Sequence, residues 1–373
     1  MCISPIFSLK KILPLVFLAA FLCAQPVAAG AAPRRPIGDS NLIARVPFPG
    51  YPFGIAVHDG LIYVETPSDF GVPGNFVPSE IYVYDLASGA QVNAIQIQGQ
   101  PAGLHALGAM AFGDEDNLYV IDIQQGVLQI NIKTGVQKVY ATPFYPVYQS
   151  AYNPPAPLLP IQMAFDPLGN LYVTDTYEAT IWRVPRGGGA PQVWYQSALI
   201  DGAFGPNGIR IDPYNLMLYF DVTLSGATAD GIVYRLPLVD HPTDADLMVF
   251  HTYPADSGPA GMAFGLSGDL YVSLAVISQI SVLDADGNEI RRFSGPSKNP
   301  ADPSEPLVWA NPANIAFDDS RGRIVVTNQA DYVQVTDPSD YWAVFDVYVD
   351  DTTGWLFGDQ PGIFCRDECL NLL

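Results

Sequence analysis

A plan of about 50 residues recurs six times along the chain and constrains its fold more than any other feature. Each copy reads as a small apolar strand, an acidic or glycine turn, and an apolar-Tyr-Val strand ending in an acid or amide. The copies are PFGIAVHDGLIYVE (52–65), LGAMAFGDEDNLYVID (107–122), PIQMAFDPLGNLYVTD (160–175), PNGIRIDPYNLMLYFD (206–221), PAGMAFGLSGDLYVS (259–273) and PANIAFDDSRGRIVVTN (312–328). Their anchors Ile55, Met110, Met163, Ile209, Met262 and Ile315 lie 55, 53, 46, 53 and 53 residues apart. Two further strand-like runs follow each pair, so each unit predicts a four-stranded antiparallel sheet. One such sheet leaves an apolar face uncovered; a ring of six covers all of them. The expected fold is all-β: a six-bladed β-propeller over residues 41–358, with four-stranded blades around a central channel.

Composition agrees. Gly (33) and Pro (34) are spread along the chain, as many short strands joined by turns require, and 15% charged residues exclude a disordered or coiled-coil protein. The repeated tyrosines Tyr63, Tyr119, Tyr172, Tyr219 and Tyr271 read as core between blades. The first-turn acids Asp59, Asp114, Asp116, Asp166, Asp212, Asp318 and Asp319 read as turn formers. The ring has two candidate closures: the strand Leu42–Phe48 completes the last blade, or Trp342–Asp350 and Trp355–Phe357 fill it alone.

The formal charge of −21 argues against nucleic acid and anionic membrane surfaces as partners. Residues 1–29 read as a signal peptide: Lys10 and Lys11, an apolar run from Ile12 to Ala24, and Val27-Ala28-Ala29 before a cleavage point. Residues 30–40 read as a linker and 359–373 as a tail. The expectation is a secreted monomer, periplasmic or extracellular, without a membrane-spanning segment after signal removal. Cys365 and Cys369 are then the remaining cysteines, and an oxidising compartment favours a local disulfide between them.

Tight turns join the first and second strands, so long loops collect on the opposite face, called here the mouth face. They carry Phe70, Phe76, Tyr145, Tyr148, Tyr152, Trp309 and Tyr332, and predict a binding surface for a small molecule, glycan or protein. The repeat P-x-G-φ-x-φ-D…G-x-L-Y-V-x-D resembles those of the NHL-type and the gluconolactonase/regucalcin-type (senescence-marker-protein-like) six-bladed propellers. The second unit looks more like that of strictosidine-synthase-like proteins. The lactonase resemblance implies a calcium or zinc ion held by a Glu, an Asn and an Asp at the channel mouth, polarising a lactone carbonyl. The matching positions are Phe53, Gly108, Ile161, Asn207, Ala260 and Ala313. Asn207 alone is a ligand type, so no cofactor is expected, and a divalent metal at Asn207 stands as the alternative. Ligand-binding candidates are Phe53, Gln162, Asn207, Trp309 and Asn311. His105 is the acid–base candidate by residue type, and Glu305 is a second, at the place where strictosidine-synthase-like enzymes use a Glu. The functions in view are a ligand-binding propeller, a lactone or ester hydrolase, and a metal-free strictosidine-synthase-like enzyme.

Overall fold

The third and fourth repeats each reverse at a turn that the repeat's own acid closes. In the third unit Asp166 Oδ1 accepts from the N–H groups of Leu168 (2.9 Å) and Asn170 (2.8 Å). Asp212 does the same for Tyr214 (2.9 Å) and Asn215 (3.2 Å) in the fourth. The strand after the turn therefore returns antiparallel beside the first.

The structure, a computed structural model, describes residues 35–48, 50–66, 78–100, 106–113, 116–153, 158–212, 214–295, 308–318, 322–330 and 338–351. The signal-peptide reading, Cys365 and Cys369, His105, Glu305, Phe70, Phe76, Tyr332 and Trp355–Phe357 lie outside the described residues. Residues from Pro36 onward form one compact unit.

Six four-stranded antiparallel sheets make a six-bladed β-propeller. The innermost strands are Ile55–His58, Leu107–Phe112, Pro160–Phe165, Gly202–Asp212, Pro259–Phe264 and Pro312–Asp318, and each carries one repeat anchor. Of the two closures weighed above, the first holds. Ser40–Arg45 pairs with Ala343–Tyr348 as the outer strand of blade six, in the register Leu42 to Phe345 and Ala44 to Val344. Among the described residues the only helices are two 3₁₀ turns, Ala198–Ile200 and Pro338–Tyr341, and none is long and apolar enough to cross a membrane.

The core is divided like the ring. Six apolar clusters each lie between two successive blades, the last between blades six and one. The repeated tyrosines are all buried in them, and each meets an aromatic ring edge-on: Tyr63 with Phe112, Tyr119 with Phe165, Tyr172 with Trp194, Tyr219 with Phe264, Tyr271 with Phe317.

Hydroxyls staple the blades near the channel. Two residues after the tyrosine position, Thr174 donates to the Asn207 carbonyl (2.5 Å), Ser273 to the Ala313 carbonyl (3.2 Å), and Thr327 to the Phe53 carbonyl (2.8 Å). Each bond runs to the next blade's innermost strand or the residues leading into it. Blades one and four place carboxyls there instead, Glu65 and Asp221. Further down the channel, Arg210 reaches from blade four to the Ile315 carbonyl of blade six (3.2 Å).

Candidate functional site: an apolar cavity at the channel mouth

The innermost strands, with the segment leading into the first of them, converge on the channel mouth and bring Phe53, Ile161, Asn207, Ala260 and Ala313 to one cavity of about 240 Å³. These are five of the six positions singled out by the repeat. The sixth, Gly108, gives way to its neighbour Ala109, which packs with Phe53, Leu159, Ile161 and Ala313. Gly108 has no room for a side chain: a Cβ there would stand 2.8 Å from the Ile161 carbonyl oxygen. Tyr51, Phe204, Thr223, Leu224, Asp256, Ala275, Val276, Asn311 and Gln329 complete the wall.

Asn207 is buried in a chain of hydrogen bonds. Its Oδ1 accepts from Gln162 Nε2 (3.2 Å) and its Nδ2 donates to Thr223 Oγ1 (3.1 Å). Thr223 in turn donates to the Pro259 carbonyl (2.8 Å). Gln162 thus holds Asn207 from beneath and does not itself line the cavity.

Asn311 is different. Only 1% of it is exposed, it lines the cavity, and among the described residues neither its Oδ1 nor its Nδ2 has a hydrogen-bond partner. Its backbone is left-handed, at φ 58°. Two bonds hold it so: its N–H donates to Ser278 Oγ (3.1 Å), and its carbonyl accepts from the Gln329 N–H (3.0 Å). Tyr51 (φ 58°) and Asp256 (φ 68°), also in the wall, share this conformation. Backbone held in such regions gathers where a surface is shaped for a ligand.

Trp309 takes another place. It is buried between blades five and six, where its Nε1 donates to Ser40 Oγ (3.3 Å), and it is absent from the cavity wall. The repeat pattern pointed to the floor of the cavity. Tyr51, Phe204, Leu224, Val276 and Asp256 were not singled out as ligand contacts: Tyr51, Val276 and Asp256 come in from loops, and Phe204 and Leu224 from the paired extension of blade four's first two strands beyond the repeat.

A hard divalent cation wants about six oxygen ligands or more. Among the described residues the cavity wall offers one carboxylate, Asp256, beside the neutral oxygens of Tyr51, Thr223, Asn207, Asn311 and Gln329, and Asn207 Oδ1 already accepts from Gln162. The buried carboxyls Glu65, Asp175 and Asp221 do not line the cavity. Among the described residues no three His, Cys, Asp or Glu side chains gather as a metal site. One carboxylate among neutral oxygens does not fit the ion that the lactonase resemblance implies.

Burial keeps those three carboxyls protonated beyond the usual range. Asp175, whose Oδ1 accepts from the Leu159 N–H (3.0 Å), is pushed up to about 7 by desolvation. Glu65 and Asp221 are raised well above the carboxylate range for the same reason.

The architecture is shared with solved structures. The chain is similar to regucalcin, a calcium-binding protein of Agrobacterium tumefaciens, at 16% identity over 86% of this chain and 96% of that one, with a TM-score of 0.61. It is similar to a gluconolactonase of Xanthomonas campestris at 14% identity over 83% and 89%, TM-score 0.55. It is similar to a catalytically inactive virginiamycin B lyase of Staphylococcus aureus, solved with quinupristin, at 17% identity over 78% and 82%, TM-score 0.50. All three likenesses lie below 25% identity and are likenesses of fold. No protein-family model and no curated sequence matches the chain.

Proposed function

We propose that this propeller binds a compact neutral small molecule at the channel mouth, with an apolar body against Phe53, Ile161, Ala260 and Ala313 and a carboxamide-type group against Asn311. The observation that carries this reading is the Asn311 amide, buried in the cavity wall with both polar atoms unpaired. An unmet buried polar group costs about 1–3 kcal/mol, and a ligand with one donor and one acceptor side by side removes that cost. The volume favours a compact ligand over a glycan chain or peptide, since 240 Å³ lies below the roughly 300–1,000 Å³ of drug-sized sites. The reading needs no metal. The test is calorimetric titration with benzamide. Saturable binding that Asn311→Gly removes supports the reading; binding that survives Asn311→Gly sinks it.

The lactone or ester hydrolase reading draws support from the shared gluconolactonase fold. A lactone carbonyl would satisfy Asn311 Nδ2 and leave Oδ1 unmet, so the amide reading accounts for more of the cavity. A metal-free enzyme would draw on His105 and Glu305, and requires turnover that a chelator leaves intact and that Glu305→Gln or His105→Ala abolishes.

A further inference from the structure

The far face, which carries the tight turns, holds a larger cleft of about 640 Å³ between blades four and five. Arg235 lies in its wall beside Tyr219, Met248, Phe250, Phe264 and Leu266. Its guanidinium sits 5.4 Å from the centre of the Phe250 ring. Among the described residues it has no hydrogen bond and no carboxylate within ion-pair distance, and its Nε is buried without a partner. Asp212, in the same wall, spends its oxygens on its own turn, accepting from the N–H groups of Tyr214 and Asn215 and from Asn215 Nδ2.

The repeat supplies an internal control. Arg235 pairs across its sheet with Tyr219, as Arg183 does with Tyr172 one blade earlier. Tyr219 meets Phe250 edge-on at 5.0 Å, as Tyr172 meets Trp194 at 4.9 Å. At the earlier junction the loop between the third and fourth strands of blade four folds back over blade three. From it Asp240 reaches Arg183 Nη1 (3.2 Å), and the Val239 carbonyl accepts from Trp194 Nε1 (2.8 Å). At the later junction the corresponding connection of blade five is a tight turn. Asp284 closes it onto the N–H groups of Asp286 and Asn288, and Ala285 is what faces the cleft. The loop that would cover the cleft is missing, and with it the carboxylate that would meet the arginine.

We infer that the cleft between blades four and five binds a small organic carboxylate with an aromatic or alkyl body, the carboxylate on Arg235 and the body against Met248, Phe250, Phe264 and Leu266. The planar guanidinium suits a carboxylate, offering two parallel N–H donors. Among the described residues the cation stands without an ion pair in a cleft of mixed polar and apolar lining, although its counterpart Arg183 has Asp240. This site is separate from the mouth cavity and does not depend on the reading given to it.

The test is a fluorescence titration of the full-length chain with naphthoate, beside its neutral analogue naphthylmethanol. Naphthoate binds saturably at one site and naphthylmethanol at least about tenfold more weakly, since a charge-assisted hydrogen bond is stronger than a neutral one. Arg235→Gln lowers naphthoate affinity by at least about tenfold by the same reasoning. Ala285→Asp supplies the missing carboxylate from blade five and abolishes binding in a chain that keeps its arginine. Arg183→Gln leaves the affinity unchanged. The proposal is overturned if naphthoate does not bind, if the neutral analogue binds as well, or if both Arg235→Gln and Ala285→Asp retain full affinity. Binding that appears only after residues 352–373 are removed would assign the cleft to the chain's own tail, and would also overturn it.

Discussion

Asn311 shows in one residue how a binding surface trades against stability. The left-handed backbone costs about 1 kcal/mol or more for a residue with a side chain, and the unmet amide adds to that. Asn311→Gly removes both, against some loss of chain entropy in glycine. The folded chain without ligand should gain about 1 kcal/mol, read as a higher urea midpoint, while benzamide binding disappears. A variant that is both less stable and still able to bind would show that the amide serves the fold. The sequence offered Asn311 only as an amide next to a repeat unit. Its torsion and lack of partners depend on Ser278 and Gln329, which periodicity does not bring into view.

The buried carboxyls act at the same scale. Among the described residues Asp221 Oδ2 has no hydrogen-bond partner, and Gly208 keeps the space beside it open. A Cβ on Gly208 would stand 2.3 Å from that oxygen and 1.8 Å from the Ala260 carbonyl oxygen. The proton on a neutral Asp221 thus has the same kind of acceptor nearby that Thr174, Ser273 and Thr327 use. Burial raises Asp175 from 3.8 to about 7, so the folded chain keeps a proton that the unfolded chain releases above roughly pH 4. The stability tied to that proton is full below about pH 4 and is lost as pH rises toward 7. Glu65 and Asp221 carry the same sign. Asp175→Asn keeps the shape and cannot ionise. Relative to the parent it should gain stability steadily between pH 4 and 7, by an amount on the order of a few kcal/mol at pH 8. An Asp175→Asn difference that does not change with pH would contradict this.

At the scale of the element, the closing strand matters most. Ser40–Arg45 pairs only with Ala343–Tyr348, yet Ala44 joins the cluster between blades six and one, and Ser40 holds Trp309 between five and six. A chain beginning at Val46 should lose about 3 kcal/mol or more and self-associate through the bared strand edge. Unchanged stability by chemical denaturation would mean that blade six closes on three strands. The strand was legible at Leu42–Phe48, with the last blade as one of two closures; it pairs at Ser40–Arg45, ahead of those bounds, because the register with Ala343–Tyr348 decides where it starts and stops. The same limit explains Trp309: its position just before the sixth unit suggested a loop tip, while packing against the neighbouring blade takes it into the core.

At the scale of the molecule, one repeated plan gives six equivalent interfaces and two unlike faces. The six anchors, the tyrosine positions and the five mouth residues were readable because a ring places equivalent positions equivalently. The cleft at Arg235 was not, because it arises from a difference between blades: the connection that crosses the junction of blades three and four is long, and the one at four and five is short. The interface between blades four and five accordingly has the smallest apolar cluster of the six. The central claim is that the channel mouth is a binding site built around an unsatisfied amide, and a crystal structure grown with benzamide tests it most directly. The account predicts the ring in the cavity between Phe53 and Ala260, with the carboxamide paired to Asn311 Oδ1 and Nδ2. A cavity that excludes benzamide at saturating concentration, or a benzamide that leaves Asn311 unpaired, would contradict it.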